Sequence, residues 1–196
     1  MGMKKLIINY NGKIVQTKIV YYGPAMSGKT TSLKALFKYM NKDSDLKSIE
    51  TTTGRTLFFD FGTLDFKGLE WTIKIYLYST TGQDFYQSTR PATLYGVDGV
   101  IFIVDSQRSL LTYNRNSWNE LRKFFAEKIK QIPIVICMNK YDLDDKISDE
   151  MLREELKISK IQNVSIIPSV ATQGVGVKEA FCAVMGQIFP NFKLEL

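Results

Sequence analysis

The segment from Gly23 to Thr30, GPAMSGKT, constrains this chain more than any other stretch of it. It has the G-x-x-x-x-G-K-[ST] spacing, it leaves a β-like run (Ile14–Val20, then Tyr21-Tyr22), and it opens a helical pattern from Lys29 to about Met40. A strand, a tight glycine-bearing loop and a helix in that order form a cradle for an anion. Successive backbone N–H groups of Gly23, Ala25, Met26, Ser27, Gly28 and Thr31 are candidates to turn inward, with the helix N-terminus behind them. Pro24 has no N–H to give. The Lys29 ammonium can reach two phosphates, and the Thr30 hydroxyl is a candidate Mg²⁺ ligand.

The rest of the chain predicts the frame. Leu6–Asn9 and Ile14–Val20 flank Asn11-Gly12, a hairpin signal. Thr56–Phe61 and Trp71–Tyr78 alternate as strands, whereas Val97–Val104 and Ile132–Met138 are continuous apolar runs, the mark of strands buried on both faces. Helices are predicted over Trp118–Ile129, after the capping Ser148, and over Lys178–Phe189, with a short strand at Val164–Ile167; the polar stretch Asn41–Thr53 is expected to be a loop. Strands alternating with helices predict a doubly wound α/β sheet, and 196 residues without repeat or linker predict one domain, 1–196.

Composition removes several chemistries. There is no histidine, so no Ser-His or Cys-His triad and no His-ligated metal. Cys137 and Cys182 lie in apolar surroundings and are expected to be buried free thiols of a reducing, cytoplasmic protein. No apolar run is long enough to span a bilayer, and no lipidation signal or signal peptide is present, so no direct membrane anchor is expected. Residues 1–50 hold nine Lys and three acids, which accounts for the whole net charge of +6. Lys34, Lys38 and Lys42 recur at helical spacing, which reads as a solvated face, and no arginine-rich or aromatic-interleaved cluster points to nucleic acid.

The base is addressed by Asn139-Lys140-Tyr141-Asp142, at the end of the apolar run Ile132–Met138. An Asp142 carboxylate can accept from the ring N–H and the exocyclic amine of guanine, a pattern adenine does not offer. Asn139 is placed to tie this strand to the phosphate loop, and the Lys140 stem to cover the base. The following Ser169-Val170-Ala171-Thr172 adds a backbone N–H near Ala171 that could meet the guanine oxygen.

These stretches, together with GRTLFFDF, YSTTGQDFYQSTR and GVDGVIFIVDS, resemble a Ras-superfamily small GTPase, most closely the prokaryotic MglA-type branch, over nearly the whole chain. The resemblance implies a P-loop GTPase fold: a six-stranded, mostly parallel sheet flanked by helices, here with an extra N-terminal hairpin strand. It implies GTP and GDP binding with Mg²⁺, slow intrinsic hydrolysis, a monomeric switch that recruits effectors, and a roadblock-type, MglB-like activator. Residue by residue, it makes Gln83 the group that orients the attacking water, beside Gly82, and Arg55 an arginine in cis that neutralises charge on the γ-phosphoryl group. Thr56 is the first choice for a switch threonine on Mg²⁺, with Thr51, Thr52 and Thr53 competing. It also implies that the strand after Arg55 shifts register between nucleotide states.

Two departures stand out. Ser79 occupies the place where GTPases in general carry a metal-associated aspartate, and a serine there reaches Mg²⁺ at most through a bound water. Asp105, at the end of VIFIVD, and Asp84, after the glutamine, are the alternative carboxylates; the first would suit an ATPase-like metal site, the second a solvated loop. Ala25 stands where many relatives have glycine, and its methyl crowds Gln83 or Arg55, which bears on hydrolysis more than on binding. A nucleotide-binding module with negligible hydrolysis is the alternative that these departures leave open.

Overall fold

The computed structural model describes residues 6–50, 56–80, 90–158 and 164–190. One eight-stranded sheet organises them. The strands are β1 (Ile7–Asn9), β2 (Ile14–Tyr22), β3 (Leu46–Glu50), β4 (Thr56–Lys67), β5 (Thr72–Thr80), β6 (Gly99–Asp105), β7 (Ile134–Asn139) and β8 (Val164–Pro168). Their order is β3-β4-β5-β2-β6-β7-β8, with β1 paired to the start of β2. From β5 through β2, β6 and β7 to β8 the pairing is parallel, whereas β4 runs antiparallel to β5. The expected mostly parallel sheet with an N-terminal hairpin strand is therefore present. The hairpin turns at Asn11-Gly12, where the Gly12 N–H donates to Asn9 Oδ1 at 2.9 Å.

The helices are α1 (Lys29–Tyr39), α2 (Arg90–Leu94), α3 (Leu111–Phe125), α4 (Asp149–Leu156) and α5 (Val177–Ile188). Side chains alternating along β2 separate two cores. Ile19 and Tyr21 face α1 and α5, packing with Leu33, Leu36, Phe37, Phe181 and Val184. Val20 and Tyr22 face the other way, onto Phe102, Val104, Trp118, Leu121 and Leu152 beneath α3 and α4. Every residue of β6 and β7 is buried, as two covered faces require. Ser148 caps α4, its hydroxyl accepting from the Met151 N–H at 3.2 Å.

Three elements differ from expectation. The stretch predicted as a loop, Asn41–Thr53, contains β3, an edge strand paired antiparallel to β4 and bulged between Ser48 and Glu50. The helix predicted from Trp118 begins at Leu111, because its buried stripe runs through the polar Asn114 and Ser117 before reaching Trp118; it yields to a 3₁₀ segment at Ala126–Gln131. β4 continues six residues past Phe61, to Lys67. Cys137 and Cys182 are free as expected, though only Cys137 is fully buried, and burial pushes its thiol up to about 12. No helix of the described residues is long and apolar enough to cross a membrane.

A candidate nucleotide site at the strand ends

Parallel pairing brings the carboxyl ends of β2, β6 and β7 to one edge of the sheet, where α/β proteins hold their ligands. The loop Gly23–Gly28 leaves β2 there and enters α1, with Gly28 in the left-handed conformation (φ 101°) as the helix N-cap. A Cβ on Gly28 would stand 2.1 Å from Asn139 Nδ2, so glycine is required twice over: by its φ and by the closeness of the asparagine. Met26 also has positive φ (61°) and projects into solvent.

Lys29 is buried, and its ammonium folds back on the loop, donating to Gly23 O at 3.0 Å and Pro24 O at 2.6 Å. Its pKa is depressed to about 7, mainly by burial and also by the neighbouring Arg90 guanidinium, with the Asp60 carboxylate opposing both. Arg90 itself is buried at the start of α2 and paired to Glu120 of α3 at 2.5 Å.

The residue that sequence reasoning missed is Asp60. Antiparallel pairing of β4 with β5 sets Asp60 directly opposite Ser79, and the Thr30 hydroxyl donates to Asp60 Oδ2 at 2.6 Å. A fully buried carboxylate thus stands on the neighbouring strand, level with the position where β5 carries serine. The Ser79 hydroxyl is also fully buried and finds no hydrogen-bond partner among the described residues; the same is true of the Ser27 hydroxyl in the loop. The Thr30 hydroxyl and the Asp60 carboxylate, in contact with each other, are hard oxygen donors of the kind that suits Mg²⁺. Thr56 opens β4 opposite Glu50, four residues and about 13 Å along the strand from Asp60. In this arrangement Asp60, rather than Thr56, is the β4 residue set against Thr30.

Asn139 joins three loops. Its Nδ2 donates to Ser27 O at 2.7 Å, as expected of a tie to the phosphate loop, and its Oδ1 accepts the Ala171 N–H at 2.9 Å. The Ala171 N–H, expected to meet a guanine oxygen, is here committed to Asn139, so Ala171 fastens its loop instead; the Val170 N–H donates to Val175 O. Asp142 lies exposed beyond the end of β7. Lys140 has φ 61° and sends its ammonium to Asp105. Both Asp105 oxygens are therefore engaged, by Lys140 and by the Gln107 N–H, which removes Asp105 as the substitute metal carboxylate.

A cavity of about 550 Å³ opens between α1 and the 171–174 loop, lined among others by Thr31, Lys34, Lys38, Asp43, Ala171 and Thr172. Lys34 and Lys38, exposed as expected of a solvated face, also rim it. Arg55, Thr51, Thr52, Thr53, Gly82, Gln83 and Asp84 lie outside the described residues.

Comparison with known proteins agrees with this geometry. The profile of the ADP-ribosylation factor family matches residues 3–188. The chain is 37% identical to the mutual gliding-motility protein MglA of Myxococcus xanthus over 192 residues, 95% of this chain and 97% of that protein. It is 28% identical to the ADP-ribosylation factor-like protein alp41 of Schizosaccharomyces pombe, over 92% of this chain and 90% of that one. Against the Ras-related protein Rab-5B of Plasmodium falciparum the figure is 27%, over 62% and 56% of the two chains. A phosphate loop, a guanine-type tetrapeptide fastened to it by Asn139, and relatives of this kind lead to one conclusion: the chain belongs to the ADP-ribosylation factor family of Ras-superfamily GTPases and is MglA-like.

Proposed function

We propose that the protein is a GTP-hydrolysing switch that works with Mg²⁺, turns over slowly alone, and recruits partners in one nucleotide state. The observation that carries this reading is Asn139, which fastens the phosphate loop and the 171–174 loop to the end of β7, so that phosphate and base recognition act as one site. In it, the backbone of Gly23, Ala25–Thr31 and Gly82 holds the phosphates, and the Lys29 ammonium leaves its two carbonyl acceptors for a phosphate oxygen. Asp142 reads guanine, the Lys140 stem covers the base, and Val170 and Ala171 frame its edge.

Thr30 and Asp60 would hold Mg²⁺, with the Ser79 hydroxyl beside them. When bound, Mg²⁺ neutralises charge on the β- and γ-phosphate oxygens. Gln83 orients the attacking water, Arg55 neutralises the γ-phosphoryl group, and one of Thr51, Thr52, Thr53 or Thr56 closes over the γ-phosphate. The similarity to MglA supports a roadblock-type activator as a partner.

The alternative of a binding module without hydrolysis rested on Ser79 and Ala25; a carboxylate at Asp60 weakens its first support. Single-turnover GTP hydrolysis separates the two. Hydrolysis in the parent that falls on the order of a hundredfold or more in Gln83→Leu and Arg55→Ala is expected. Equal rates in all three proteins would remove both residues from the chemistry, and no turnover in the parent with its activator would leave binding alone.

A further inference from the structure

Asp105 is a buried charge that none of the roles above uses. It closes β6 directly opposite Asn139 and is 1% exposed. Its backbone is gripped on both sides by one side chain: fully buried Asn114 of α3 accepts the Asp105 N–H at 3.0 Å and donates to Asp105 O at 2.7 Å. Its carboxylate is shared out, Oδ1 accepting the Gln107 N–H at 3.1 Å and Oδ2 the Lys140 ammonium. Lys140 starts at the end of β7 with φ 61°, so its chain crosses from one strand end to the next before it is anchored. Neighbouring strands are about 4.8 Å apart, a span within the reach of a lysine side chain.

We infer that Asp105, held by Asn114, is a positioning residue for the base site: it anchors the Lys140 ammonium so that the stem is fixed as a wall for the base before a nucleotide arrives. A free lysine would lose its rotamer freedom on each binding event; an anchored one has lost it already, and the wall also slows escape. Charge-assisted pairing to a carboxylate whose backbone Asn114 holds on both sides is a firm anchor. The inference rests on the guanine-nucleotide reading proposed above and adds a determinant of nucleotide residence time.

The test is release of a fluorescent GDP analogue from the full chain, with Mg²⁺ and again with EDTA. Asp105→Asn keeps the acceptor for the Gln107 N–H and loses the anchor, and release about tenfold faster is expected, with and without Mg²⁺. Lys140→Met, which keeps an apolar stem, should be equally fast; Lys140→Arg, which keeps the pair, should stay slow. In the Lys140→Met background, Asp105→Asn should add nothing. An equal acceleration in both backgrounds would make Asp105 merely structural and overturn the inference, and so would an effect confined to Mg²⁺. Should Asp105→Asn fail to fold, the two lysine variants decide alone: Arg as fast as Met refutes the anchor. A parent that takes up no GDP analogue sinks the nucleotide reading itself, whereas a parent that binds but whose release none of these changes alters sinks this inference only.

Discussion

At the scale of single residues, the sharpest consequence concerns Asp60. A fully buried carboxylate bonded to the Thr30 hydroxyl, with a buried Ser79 hydroxyl opposite that has no partner among the described residues, is an arrangement of oxygens that gains from a divalent cation. Asp60→Asn is expected to weaken GDP binding about tenfold or more in Mg²⁺ and to leave it unchanged in EDTA, measured by titration of a fluorescent analogue. Lys29 supplies a pH prediction for the nucleotide-free protein. Its folded pKa, about 7, lies below the ordinary value of 10.5, so between those two pH values the unfolded chain binds more protons than the folded one. Stability therefore rises as pH increases through that window. Urea unfolding at pH 7 and pH 9 should show the gain, and Lys29→Met should flatten it. The loop from Gly23 to Thr30 at the end of β2 and the tie of Asn139 to it were legible in the sequence because both belong to short, contiguous spacings. Asp60 was not, since its role depends on which β5 residue it faces, and strand pairing is not a local property. The available signal was the alternation of FFDFGTLDF: Asp60 shares the buried face with Gly62 and Leu64, and a carboxylate there demands a partner.

At the scale of elements, β4 is the one whose register matters most. Its buried face carries Asp60, Gly62 and Leu64 in succession, and Gly62 lies so close to α1 that a Cβ would stand 2.3 Å from the Phe37 ring. A two-residue slip of β4 keeps the face inward, yet it brings Asp60 or Leu64 to the place that only glycine fits and takes Asp60 away from Thr30. The proposed shift between nucleotide states would thus have to move Phe37 and dismantle the Asp60–Thr30 contact together. Gly62→Ala should destabilise the fold by about 1–3 kcal/mol through overpacking, seen as a lower Tm in thermal unfolding. Crystal structures with GDP and with a GTP analogue test the slip itself; identical β4 pairing in both would end it. Legibility at this scale followed apolar continuity. β6 and β7 were plain because both faces are covered. β3 was hidden because an edge strand with polar residues looks like a loop, and the first turns of α3 because Asn114 occupies the place of an apolar residue in order to grip Asp105.

At the scale of the whole molecule, the net charge of +6 falls in the quarter of the chain that contains the phosphate loop and α1. Two lysines of that quarter, Lys34 and Lys38, rim the cavity between α1 and the 171–174 loop, where they attract an incoming polyanion. Binding should accordingly be faster at low ionic strength. The fold places the phosphate loop after β2, the Asp60 carboxylate on β4 and the segment proposed to read the base after β7, and Asn139 and the Asp60–Thr30 bond draw the three together. The central claim is that these parts make one site selective for guanine nucleotides. Competition against a bound fluorescent GDP analogue in Mg²⁺ tests it most directly. Displacement by GTP and GDP at near-stoichiometric concentration, with ATP ineffective at a hundredfold excess or more, is the predicted result. Equal displacement by ATP and GTP would contradict it.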